Sequence, residues 1–102
     1  MNDIVTEIER IADDIKEVLD KNRVATPNTY AASRLSFLAN LLPGGYAREK
    51  AREIALTAED FYSSRKHEKY TGGAPFLFAN MEGLVSRIKN HAKRLEKEDK
   101  NA

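Results

Sequence analysis

The apolar residues Ile4, Ile8, Ile11, Ile15 and Val18 follow one another at spacings of four, three, four and three. Only an α-helix gathers such positions on one side, because a strand alternates every second residue. Val5, Ala12 and Leu19 add a parallel row seven residues apart, and most of the remaining positions up to Lys21 are charged. The spacing predicts an amphipathic helix over about 2–22 that must bury one broad stripe against something else.

The same period returns three times. Thr26-Pro27 reads as a cap followed by proline at a first helical position, where its missing N–H costs nothing, and Pro43-Gly44-Gly45 ends that helix, giving about 27–42. Ala47, Ala51, Ile54, Ala58 and Phe61 line a third helix over about 46–64. A fourth, about 74–97, carries Leu77 or Phe78, Met81, Leu84, Val85, Ile88, Ala92 and Leu95 before a charged tail expected to fray. No alternating β-branched run and no Asn-Gly hairpin competes with this pattern. The expected fold is all-α: a single domain over 1–102, built as an up-and-down antiparallel four-helix bundle, since short connections favour antiparallel neighbours.

Charge refines the arrangement. Seventeen basic and sixteen acidic side chains nearly cancel, but residues 1–23 hold seven acidic and four basic groups while residues 46–102 hold nine and twelve. An antiparallel bundle that sets the first helix beside the fourth neutralises part of this imbalance. The near-zero total argues against a dedicated polyanion binder. With no cysteine, thiolate chemistry and Cys-based metal sites are excluded. Two histidines, neither preceded by Glu at the third position, do not supply the ligands of a carboxylate-bridged metal site in a bundle. No apolar run approaches the roughly 20 residues of a membrane span, and the Met1-Asn2-Asp3 start lacks a basic–apolar leader, so a cytoplasmic location is expected. No nucleophile–base pair stands out, and neither enzymatic activity nor a cofactor is expected.

The second helix breaks the amphipathic rule. Ala31, Leu35, Leu38 and Leu42 fall on one side, but Tyr30, Phe37 and Leu41 carry the apolar arc further round, leaving a narrow strip of Thr29, Ser33, Ser36 and Asn40. A helix packed on one core needs an arc of only about 100° or slightly more. Either the helix is squeezed between neighbours, or Tyr30, Phe37 and Leu41 form an exposed patch for a second copy or another protein. Arg34 sits inside this arc, where it snorkels, stacks on a ring, meets a carboxylate, or anchors an interface. Tyr30, Arg34, Phe37 and Leu41 are therefore the candidate partner-binding residues of a regulatory or immunity-type interaction module, expected to form a homodimer or to bind another protein.

A second candidate is Arg65, Lys66, His67 and Lys69 followed by Gly72 and Gly73 at a helix start, where backbone N–H groups can hold an anion. It lacks the spacing of a nucleotide-binding P-loop. Together with Arg87, Lys89, Lys93 and Arg94 it frames the alternative, a nucleic-acid or phosphate binder. His91, at the edge of the fourth apolar stripe, reads as a core-edge residue or an acid/base group.

Overall fold

The computed structural model describes residues 2–23, 27–63 and 73–101. They form four helices: α1 (Asn2–Lys21), α2 (Thr29–Leu41), α3 (Tyr46–Tyr62) and α4 (Gly73–Asn101). Each helix packs on two neighbours, in the cyclic order α1, α2, α3, α4 and back to α1. Pairings along the helices fix the directions. Asp13 of α1 meets Lys89 of α4 at 2.7 Å, and Arg23, just past the end of α1, meets Glu82, so the two run antiparallel. Tyr46 against His91 and Phe61 against Phe78 set α3 antiparallel to α4 in the same way. The result is the expected up-and-down bundle, with the acidic first helix beside the basic fourth.

Local chemistry explains the helix ends. α2 does not begin at Pro27. Its N-cap is Asn28, whose side-chain oxygen accepts a hydrogen bond from the Ala31 N–H at 3.0 Å, while its own N–H donates to the Tyr62 carbonyl. Proline at 43 pushes Leu42 into extended backbone (φ −71°, ψ 146°), which stops α2. Gly45, at φ +117°, turns the chain into α3, a conformation that favours glycine. α3 stops at Tyr62, two residues short of the expected end. Pro75 sits in the first turn of α4, where a helix tolerates it. The tail expected to fray from about residue 97 instead continues α4 to Asn101. Its Glu and Lys residues are good helix formers, and neither glycine nor proline interrupts them.

The core is one cluster drawn from all four helices. Ile8, Ile11, Ala12, Ile15 and Leu19 enter from α1; Leu35 and Leu38 from α2; Ile54 and Phe61 from α3; and Phe78, Met81, Val85 and Ile88 from α4. Each such Ile, Leu or Val contributes about 1.5–3 kcal/mol on removal from water. Ile4 departs from the expected stripe: in the first turn of α1, it is exposed. The alanine row Ala47, Ala51, Ala55 and Ala58 is buried, so neighbouring helices approach α3 closely. At one end of the bundle the rings of Phe61, Tyr62 and Phe78 meet with centroids 5.1, 5.7 and 6.3 Å apart. Both Leu77 and Phe78 turn inward, leaving Phe76 outside.

That end is also closed by hydrogen bonds. The Tyr62 hydroxyl donates to the Asn22 carbonyl at 2.6 Å, across forty residues of sequence. Asn28 Nδ2 donates to Asn22 Oδ1 at 2.6 Å, and Asn22 Nδ2 donates to the Val18 carbonyl at 2.8 Å. The end of α1, the start of α2 and the end of α3 thus share one polar knot beside an aromatic cluster.

Candidate functional site

With Ala31, Leu35, Leu38, Ala39 and Leu42 turned inward, helical geometry leaves Tyr30, Arg34, Phe37 and Leu41 on the outside of α2. Tyr30 is 77% exposed, Phe37 53% and Leu41 43%. Neighbouring helices therefore do not cover Tyr30, Phe37 and Leu41. Arg34 is also exposed, with its guanidinium carbon 5.3 Å from the Phe37 ring centroid, so it stacks on an aromatic ring one turn along its own helix. Among the described residues no carboxylate lies within ion-pair distance of it.

The patch borders an open groove between α1 and α2, lined by Asp14, Glu17, Val18, Tyr30, Arg34 and Leu38. Both carboxylates on the α1 wall already have cations on their own helix: Arg10 at 3.6 Å from Asp14 and Lys21 at 2.7 Å from Glu17. The face therefore combines an apolar, aromatic ridge carrying one cation with a charged ridge beside it.

The second candidate fares differently. Arg65, Lys66, His67, Lys69 and Gly72 lie outside the described residues, and Gly73 is the first residue of α4. On α4, Lys89 is engaged by Asp13, while Arg87, Lys93 and Arg94 are exposed. His91 is half-buried, its ring 5.0 Å from that of Tyr46, which makes it a core-edge residue packed on an aromatic. Among the described residues no three His, Asp or Glu side chains gather closely enough to hold a metal ion, and no helix is long and apolar enough to cross a membrane.

Three residues escaped the sequence reading. Leu56 is 64% exposed on α3 beside Arg52, and Phe76 is 74% exposed near the start of α4. The signal for Leu56 was its place off the α3 stripe. Arg23 is the third: it stands 5.4 Å from the Phe78 ring while bridging to Asp20 and Glu82, and so covers the aromatic cluster.

Fold and face together define a small helical bundle in which the apolar arc of α2 continues from the core face onto an exposed strip beside α1. No family model, no curated protein and no solved structure matches the chain.

Proposed function

We propose that the protein is a cytoplasmic, non-enzymatic interaction module that self-associates through the outer face of α2. The observation that carries this reading is the exposure of Tyr30, Phe37 and Leu41 on a helix whose single charge is Arg34. Leaving such a strip in water forgoes about 25 cal/mol for each Å² of apolar surface, and contiguous patches of this kind mark interaction sites. The residue types agree, since Tyr, Phe and Arg are enriched where proteins meet. A second copy is the simplest partner, because it brings the same apolar strip to be covered.

Light scattering over a concentration series tests the reading. The expected mass rises from 11.5 kDa towards twice that value. Phe37→Glu places a charge in the middle of the strip, and it is expected to hold the mass at the monomer value with an unchanged helical circular-dichroism spectrum. A wild-type mass that stays monomeric at every concentration, or a Phe37→Glu variant that assembles like the wild type, refutes the proposal.

A further inference from the structure

The outward residues of α2 stand at 30, 34, 37 and 41, a four–three–four spacing that reads the same from either end. This is the rhythm of a two-helix seam, in which alternating steps of four and three keep side chains facing a partner helix. A two-fold axis perpendicular to a helix pair sets each residue against the one at the mirrored position, and this spacing is its own mirror image. Building on the reading of α2 as the self-association face, we infer that two copies pair antiparallel along α2, with the axis between Leu35 and Ser36. Tyr30 then faces the partner's Leu41, and Arg34 faces the partner's Phe37.

Three observations select this orientation and this occupant. Arg34 has a ring and no carboxylate beside it, and in the antiparallel pair each guanidinium gains a second aromatic face. Parallel pairing would set Arg34 against the partner's Arg34, two like charges on one contact. α2 also lacks an acidic residue in its first turn and a basic residue in its last. Its dipole ends are uncompensated by charged side chains, and antiparallel pairing sets each N-terminus beside the partner's C-terminus. Finally, the α1 wall beside the seam carries Asp14, Glu17 and Lys21, a net of one negative charge beside a helix whose one charge is positive. An interface centred on a helix of 13 residues falls at the small end of specific contacts, below about 1,200 Å², so the dimer is expected to be concentration-dependent.

The chain has no cysteine, so introduced thiols report on geometry without background. Tyr30→Cys and Leu41→Cys proteins are prepared separately, then mixed and oxidised, and the solution mass of each is measured before oxidation. The antiparallel pair predicts a disulfide between the two different variants and little cross-linking of either alone, because like positions lie about 16 Å apart along the seam. The exchange Arg34→Phe with Phe37→Arg preserves the pairing and is expected to keep the dimer. Phe37→Arg alone sets guanidinium against guanidinium and is expected to weaken it by about tenfold or more. Dimers in which Tyr30→Cys links to itself overturn the antiparallel register while leaving self-association through α2 standing. Dimers that cross-link at neither position and ignore the charge exchange place the contact elsewhere and overturn both. A monomeric mass for the wild type and all variants also overturns both.

Discussion

Asn28 performs three tasks with one side chain and one peptide group. It caps α2 through Ala31, ties to Asn22 of the α1 end, and donates its N–H to the carbonyl of Tyr62. Loss of such a cap costs about 1–2 kcal/mol, so Asn28→Ala is expected to lower the chemical-denaturation midpoint by that equivalent without changing the helical spectrum. Its partner Tyr62 is fully buried, and burial pushes its phenol up to about 12 from the ordinary 10.0, against a smaller opposing pull from Arg23. The folded state therefore holds this proton more tightly than the unfolded chain does. Its contribution is complete below pH 10 and is lost as pH rises towards 12. Thermal melts over that interval are expected to show a fall in stability that is weaker in Tyr62→Phe. At this scale the sequence was only partly legible. Thr26-Pro27 is as good a local start signal as Asn28, and the choice is made by the Tyr62 carbonyl, which is distant in sequence.

Helices as elements were legible because their apolar residues repeat with helical period, and interruption by proline or glycine marks where they stop. The end of α4 was not. A run of charge resembles a frayed tail, yet Glu, Lys and Arg propagate a helix well and no breaker intervenes. α4 also contains Gly83, which is exposed, has no positive φ, and has open space where a Cβ would stand. Alanine there removes backbone freedom from the unfolded chain and meets no clash. Gly83→Ala is expected to stabilise the protein by about 0.5–1 kcal/mol, read as a raised denaturation midpoint with an unchanged slope. α2 marks the limit of reading a helix in isolation. Its inward and outward apolar residues look alike in sequence, and only the positions of α1 and α3 show which set is covered.

For the whole molecule, the charge imbalance between the two ends of the chain correctly anticipated that α1 and α4 would be neighbours, and Asp13–Lys89 and Arg23–Glu82 are the contacts that realise it. These pairs lie at the surface, where each contributes about 0–1 kcal/mol, so they orient helices that the apolar core holds together. The bundle is long and narrow, 49 by 22 by 20 Å. α4, at about 43 Å, spans most of that length, whereas α2 covers about 20 Å. The shortest helix is thus the one whose apolar arc runs past the core face onto the surface. Of its thirteen residues, Ala31, Leu35, Leu38 and Ala39 are held by the interior, and Tyr30, Arg34, Phe37 and Leu41 by the outer strip. Ala32 packs against the edge of the core, and only Thr29, Ser33, Ser36 and Asn40 lie outside both sets. Under the proposed self-association α2 has the least latitude for neutral drift, and evolutionary divergence is expected to collect on the solvent-facing sides of α1, α3 and α4.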